Sequence, residues 1–175
     1  KSVLKQLIFL TDGAVTDESR LFSLINNHLK SARLFTIGIG SAPNSFFMSR
    51  AAELGRGSHI YIGNMDEISH RMSDLFNKIE NPAITDLKLT LPIGFEADVY
   101  PNPLPDLYLG DPLSIAIRGQ SAFGMAKVEG IIGNQKWIAK VPLSQGAEQS
   151  GIAKLWAREK ISNLERSRIS SNPNE

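Results

Sequence analysis

The side chains that could do chemistry are few and lie far apart in the sequence. The pairs Asp66-Glu67 and Asp98-Asp106 supply the two carboxyl groups that acid–base catalysis uses. The first pair opens a predicted helix, where carboxylates interact favourably with the helix dipole, and the second lies in a proline-rich loop. The histidines lie on separate predicted elements, which favours satisfied or solvated rings over a cluster. They are His28, His59 and His70.

Two loop motifs complete the set of chemical candidates. Gly38, Gly40 and Ser41 suggest a phosphate-binding loop, but no Lys-Ser/Thr follows and the GxGxxG pattern fails at Pro43. Asp12 lies in a Thr-Asp-Gly turn, where an aspartate carboxylate caps nearby backbone amides. The sequence therefore predicts a protein that is not an enzyme and does not bind a nucleotide.

The composition excludes several classes of partner. Of the 175 residues, 42% are hydrophobic and 21% charged, as in a globular protein. A net charge of +1 creates no field that would attract nucleic acid or an anionic membrane, and no apolar run approaches the roughly 20 residues that span a bilayer. Because there is no cysteine, disulfides and thiol chemistry are excluded. We expect no nucleic-acid partner and no membrane insertion.

The first half of the chain alternates strands with amphipathic helices. The run 7–10 has the continuous apolar character of a strand buried on both faces of a parallel sheet. A helix follows from Glu18, with Asp17 as its N-cap. Two more strand–helix units follow, with strands at 34–40 and 59–62. Three such repeats predict an α/β fold with a partial doubly wound parallel sheet.

The periodicity changes after Pro82. A half-buried strand is predicted from 84, another at 113–117, and a hairpin joins 126–132 to 136–141. This pattern is typical of an antiparallel sheet or of half a β-sandwich. A final helix follows, with Trp156 as its largest contact. Its predicted buried face consists of Ala153, Ala157, Ile161 and Leu164.

Segments of the first half strongly resemble the later part of a von Willebrand factor A domain. LIFLTDGAVTDE, from Leu7, is followed by LFTIGIGSAPNSFFMSRAAELGRGSHIYI, from Leu34, and the match covers about residues 5–80. The pattern is similar to the inter-alpha-trypsin inhibitor heavy-chain family and its bacterial relatives. In the second half, LWAREKISNLE, from Leu155, is similar to a helix that follows the A domain in such proteins.

The resemblance implies a metal-ion-dependent adhesion site. In that family, oxygen ligands from three loops at the carboxyl ends of the strands bind a divalent cation such as Mg²⁺ or Mn²⁺. Asp12 matches the aspartate of the third loop, whereas the DxSxS motif of the first loop and the threonine of the second have no counterpart here. The resemblance therefore implies an incomplete site in this chain, with no cofactor held, and a Mg²⁺ or Mn²⁺ site in an intact parent.

The function implied by the resemblance is non-enzymatic binding of a protein or glycan ligand, as in adhesion or matrix proteins, at the cell surface or outside the cell. The alternative is an intracellular assembly or chaperone-like subunit of an enzyme machine, because some A-type domains serve in such machines. A secretion signal and a DxSxS loop upstream of Lys1 would support the first hypothesis. An adjoining ATPase domain would support the second.

The organisation expected from these patterns has four segments. Residues 1–81 form the C-terminal half of an A-type domain, 82–150 a β-rich sandwich-like region, 151–168 a helix, and 169–175 a disordered tail. The chain starts at Lys1 without a signal-peptide pattern, which a lost initiator Met or leader would explain as well as an excised piece of a longer protein. The buried-type strand that follows almost immediately favours the excised piece. A buried-type strand without its neighbour exposes an apolar edge, so we also expect a homo-oligomer.

Overall fold

The computed structural model describes residues 4–13, 15–41, 43–81, 83–120, 123–143 and 150–171, with side chains through 168. The chain divides into two units. The first contains Lys1–Asn81 and Arg166–Glu175, and the second contains Pro82–Glu165. In the described part, no helix has both the length and the apolarity to cross a bilayer.

The first unit is a three-stranded parallel sheet with connecting helices. The strands are hydrogen-bonded in the order β1-β2-β3. The elements in chain order are β1 (Gln6–Thr11), α1 (Glu18–His28), β2 (Arg33–Ile39), α2 (Ser45–Leu54), β3 (Arg56–Ile62), a single 3-10 turn (Met65–Glu67) and α3 (Ile68–Glu80). The α/β fold with a parallel sheet that the sequence predicts is confirmed.

The start of α1 and the close approach of β3 to β2 each depend on one particular residue. Asp17 is the N-cap of α1, as predicted: it has a left-handed backbone (φ 57°), and its carboxylate accepts the Arg20 N–H at 3.3 Å. After α2, Gly57 lies so close to β2 that an added Cβ would stand 2.1 Å from the Leu34 carbonyl oxygen. Only glycine permits this approach of β3 to β2.

The core of this unit is built around β2. Phe35 and Ile37 on this strand are completely buried. A second cluster combines Leu34 with side chains from α1 and α2, in which the Phe22 and Phe47 rings lie 5.0 Å apart. On α1, Phe22 is buried in this cluster and Leu21, Ile25 and Leu29 are partly buried against it, whereas Leu24 is 44% exposed.

The first strand differs from the expectation of burial on both faces. The four apolar side chains of 7–10 are 37–54% exposed. The physical reason is that β1 pairs with β2 alone among the described strands, so its other edge is open. The continuous apolar run is therefore a surface of this chain and not part of its core.

The second unit contains two antiparallel sheets. One has the order β4-β7-β8 and the other pairs β5 with β6. The strands are β4 (Ile84–Thr90), β5 (Ala97–Tyr100), β6 (Ala116–Gly119), β7 (Gly124–Ile132) and β8 (Gln135–Leu143). The predicted hairpin is confirmed, with a loop of two residues, Gly133 and Asn134, in place of three. The strand expected at 113–117 instead begins at Ala116.

The last helix, α4 (Ile152–Ser171), packs on a different face from the predicted one. Ile161 and Leu164 are 58% and 60% exposed, and Ala153 is also exposed. The buried residue is Asn163, whose amide donates to the Asn102 carbonyl at 2.6 Å. The helix runs three residues past the expected end at 168, and the rest of the expected tail, 172–175, lies outside the described residues.

Trp156 is a major contact of α4, as expected, but it is only partly buried. The ring meets Tyr100 edge-on at 5.8 Å, and the cationic groups of Arg118 and Lys160 lie 4.8 and 5.0 Å from its centre. Its buried Nε1–H has no hydrogen-bond partner in the described part of the chain. The contact is therefore weaker than that of a fully enclosed indole.

We propose that the open edge of β1 pairs with β1 of a second copy. Dilution from high micromolar concentration should convert a dimer into monomers in a sedimentation or light-scattering series. Ile8→Lys places a charge on the pairing strand and should weaken the dimer by about tenfold or more. The matched control is Leu24→Lys, a similarly exposed apolar residue of α1. A folded chain that stays monomeric throughout the series would contradict the proposal.

Trp156→Ala should lower the free energy of unfolding by about 2 kcal/mol. This is the sum expected for one edge-on aromatic pair and two partly solvated cation–π contacts. Urea titration followed by circular dichroism measures the change, with Leu155→Ala as the control, because Leu155 is 61% exposed on the same helix. Equal stability of the two variants would show that the indole contributes nothing.

Candidate functional site

The candidate site is the carboxyl edge of the parallel sheet in the first unit. Because the three strands run parallel, the segments that follow Thr11, Ile39 and Ile62 all leave the sheet at this edge. In folds of this type, ligands bind outside the carboxyl ends of the strands. The edge therefore contains Asp12, the residue that the sequence analysis singled out.

The segment after β2 is held in place by β3. The Tyr61 hydroxyl donates to the Gly40 carbonyl at 2.8 Å, and the Gly40 N–H donates to the Ile62 carbonyl at 2.9 Å. Gly40 has a φ of 86°, a conformation that favours glycine. These two bonds fix the direction in which the chain leaves β2.

The beginnings of α1 and α2 are joined by one side chain. The side-chain oxygen Oδ1 of Asn44 accepts the Phe47 N–H at 3.0 Å and so caps α2. The amide nitrogen of the same side chain donates to the Glu18 carboxylate in the first turn of α1. A single asparagine thus positions two of the loops at this edge relative to each other.

Asp12 itself is exposed and has no hydrogen-bond partner among the described residues. The cap that we expected from its carboxylate is instead made by Thr11, whose hydroxyl oxygen accepts the Gly13 N–H at 3.3 Å. Across the described ranges, no three His, Cys, Asp or Glu side chains form a group that could hold a metal ion. Because a divalent cation needs about six oxygens, the residues present here do not fit one.

The edge does carry exposed apolar side chains that sequence reasoning missed. Phe46, in the first turn of α2, is 63% exposed, and Met65, which follows the end of β3, is 79% exposed. Tyr61 is 46% exposed. A signal for Phe46 was available: it is the second residue after the N-cap Asn44 and directly precedes the buried pair Phe47 and Met48. Large apolar residues on fixed, exposed loops are typical of protein-binding surfaces.

The other chemical candidates are not brought together. Glu67 in the 3-10 turn forms an ion pair with Arg71 at 3.7 Å, and His70 lies 3.4 Å from Asp74 on α3. In the second unit, Asp98 lies on β5 and Asp106 in the loop that follows it. His28 is exposed at the end of α1. Each of these side chains has a local role or faces solvent.

His59 has a defined tautomer. The Thr36 hydroxyl donates to the Met48 carbonyl at 2.9 Å, so its oxygen is free to accept the His59 Nδ1–H at 3.0 Å. Nε2 is then the unprotonated nitrogen, and this buried atom has no partner in the part of the chain that the structure describes. Burial lowers the pKa of His59 below its ordinary value of 6.5, against the opposing effect of a hydrogen bond to the Thr36 backbone.

The parallel sheet and its carboxyl-edge loops define a Rossmann-like fold of the von Willebrand factor A type. A von Willebrand factor type A structure from Catenulispora acidiphila matches 95% of this chain and 47% of its own, with a TM-score of 0.53 and 15% identity. This likeness concerns the fold. No family model matches the chain.

The sequence resemblance is also confirmed. A von Willebrand factor A domain-containing protein from Dictyostelium discoideum is 28% identical over 83 residues, 47% of this chain and 9% of its own length. Inter-alpha-trypsin inhibitor heavy chain H3 from Rattus norvegicus is 28% identical over 117 residues, 64% of this chain and 13% of its own length. The chain thus spans only about a tenth of the curated relatives it matches.

Millimolar Mg²⁺ or Mn²⁺ should leave the melting temperature of this chain unchanged. A ligand stabilises the folded state only when its concentration exceeds its dissociation constant, and one exposed carboxylate binds too weakly for that. Differential scanning fluorimetry with and without the cation measures the effect, and isothermal calorimetry measures affinity. Micromolar binding that disappears in Asp12→Ala would overturn this prediction.

Acidification should destabilise the chain through His59. Because its folded-state pKa lies below the unfolded value, the unfolded chain binds more protons, and the stability present above about pH 6.5 is lost as pH falls. His59→Asn keeps a donor near the Nδ1 position but cannot titrate, so it should flatten the fall in melting temperature between about pH 7 and pH 5. His28→Asn, at an exposed position, is the control. Parallel pH profiles for parent and His59→Asn would exclude His59 as the cause.

Proposed function

We propose that this chain is a non-enzymatic interaction module that binds a protein or glycan through the carboxyl edge of its parallel sheet. The observation that carries the proposal is the pair Phe46 and Met65, exposed on segments that follow neighbouring strands. The similarity to von Willebrand factor A domain-containing proteins supports an adhesion or protein-interaction role.

The loops at this edge have the preorganisation that binding needs. The bonds from Tyr61 to Gly40 and from Asn44 to Glu18 fix the backbone before a ligand arrives. Fixed loops lose little conformational entropy on binding, so more of the contact energy appears as affinity. Phe46 and Met65 then supply apolar contact area, and Asp12 supplies a charge that a complementary partner can recognise.

In a longer parent protein, we propose that the same edge acts at the cell surface or outside the cell. This setting is the one implied by the resemblance to the inter-alpha-trypsin inhibitor heavy-chain family. We also propose that Mg²⁺ or Mn²⁺ contributes there, with the oxygen ligands other than Asp12 coming from outside this chain. The alternative is an intracellular assembly or chaperone-like subunit, and the experiment must distinguish it from a module that acts at the cell surface or outside the cell.

Site-specific photocrosslinking tests the proposal. A photoreactive phenylalanine analogue replaces Phe46 or Met65, one at a time, in the parent protein in its own cells. Both positions should give the same discrete crosslinked product, because they lie at one edge. The matched control is the analogue at Leu24, a partly exposed residue of α1 away from the loops.

The products decide between the hypotheses. A surface or matrix protein, or a glycoconjugate, supports the adhesion-type module, whereas an ATPase or other component of an intracellular machine supports the alternative. Different products from positions 46 and 65, or products no richer than those from position 24, would refute binding at this edge.

A further inference from the structure

The outer face of the β4-β7-β8 sheet is strongly basic. The strand register places Lys88 beside Glu129, and Lys127 beside Lys140, on adjacent strands. Successive side chains alternate between the two faces, so these residues share one face with Lys136. We call this surface the lysine face: Lys88, Lys127, Glu129, Lys136 and Lys140. It carries four positive charges and one negative charge, although the whole chain has a net charge of only +1.

The positive charge of this face is not balanced within the described residues. Glu129 forms an ion pair with Lys127 at 3.0 Å, and no acidic partner of Lys88, Lys136 or Lys140 lies within ion-pair distance in the described part of the chain. Lys127 and Lys140 stand directly opposite each other. Like charges directly opposite each other on adjacent strands destabilise the sheet. A feature that lowers stability in this way favours a functional explanation.

Apolar side chains are interspersed among the lysines. Ile138 lies opposite Glu129 and is 53% exposed, and Ile131 lies opposite Lys136 and is 42% exposed. At the other end of the face, Met125 is 50% exposed. The surface therefore offers contact area as well as charge, which suits a polypeptide with both acidic and apolar side chains.

The edge of this face is an unpaired strand. Gly133, with a φ of 60°, begins a two-residue hairpin loop, and such loops make the flanking pair, Ile132 and Gln135, a hydrogen-bonded pair. The hydrogen-bonding direction alternates along an antiparallel strand. The main-chain N–H and C=O groups of Lys136, Ile138 and Lys140 therefore point away from β7. In the described part of the chain, no strand pairs with that side of β8.

Pro142 supports this assignment. It lies two residues beyond Lys140, so its main-chain nitrogen also faces away from β7. A proline has no N–H to donate, and within sheets it is tolerated where that donor would face solvent. On β8, Lys136 and Lys140 therefore belong to the lysine face and also have main-chain groups that no described strand pairs with.

We propose that β8 binds an extended acidic segment of a partner protein as an additional antiparallel strand. Its apolar residue would lie opposite Ile138, and acidic residues two positions before and after it would lie opposite Lys136 and Lys140. Main-chain hydrogen bonds supply affinity in this mode, and alternate side chains supply specificity. The inference rests on the proposed function, for which it names a partner class at a second surface.

Other occupants fit this edge less well. A second copy of β8 would bring lysines against lysines, which is how proteins protect sheet edges from self-association. Protection alone requires charge only on the edge strand, whereas here Lys88 and Lys127 extend the charge across the sheet. A sulfated glycan would match the charge but has no peptide groups to bond with Lys136, Ile138 and Lys140.

The probe is the synthetic heptapeptide Thr-Glu-Thr-Val-Thr-Glu-Thr, blocked at both ends and titrated into the ¹⁵N-labelled full chain. The amide shifts should concentrate on Gln135–Leu143. Lys136→Glu and Lys140→Glu should each weaken binding by about fivefold or more, because attraction becomes repulsion. Lys154→Glu, an exposed lysine of α4 in the same unit, is the matched control and should leave binding unchanged. The amide spectrum of each variant checks that it is folded.

Two further ligands separate strand addition from charge alone. A peptide with N-methylvaline in place of valine loses the main-chain donor opposite Ile138 and should not bind. A sulfated oligosaccharide should not compete for the β8 shifts. Binding of the N-methyl peptide as tight as that of the parent, equal shifts with the oligosaccharide, or no shift in β8 at all would overturn the inference. Crosslinking from position 46 is independent of β8, so its result separates this failure from failure of the proposed function.

Discussion

The first unit depends on the complete burial of a parallel strand. β2 is paired on both edges and covered on both faces, so residues 33–38 lie in the core. Phe22 of α1 and Phe47 of α2 pack in one cluster with Leu34 of β2, and Leu75 of α3 is fully buried. The positions of the loops at the carboxyl edge follow from it, because each loop starts where a strand of this sheet ends.

Each unit has an open sheet edge, and the two edges differ in charge. β1 leaves an uncharged, apolar edge, with Ile8 and Phe9 partly exposed. β8 leaves an edge whose outward positions carry Lys136 and Lys140. An apolar edge accepts any strand, including a copy of itself, whereas a cationic edge discriminates by charge. The same backbone chemistry can thus support self-association in one unit and selective recognition in the other.

The sequence predicted elements far better than exposure. The alternating pattern, the Asp17 cap and the β7-β8 hairpin were sufficient to place the elements, because propensity, capping and turn chemistry are local. Burial is decided by what lies alongside an element, and for this reason the apolar run 7–10 and the α4 face with Ile161 and Leu164 were misjudged. At the candidate site, Asp12 was identified from the motif, whereas the cap made by Thr11 depends on loop geometry that no pattern encodes. The exposure of Phe46 depends on what packs beside the start of α2.

The short loop of the β7-β8 hairpin also bears on the order of folding. Nine residue pairs are formed across only two intervening residues, so little chain entropy is lost before they begin to form. Hairpins of this kind close in roughly 1–10 μs, whereas β4 must find β7 across the whole segment that contains β5 and β6. The hairpin can therefore form before β4 has paired with β7. Its edge strand carries Lys136 and Lys140, and charge on an edge strand disfavours pairing with another chain while the rest of the unit is still unfolded.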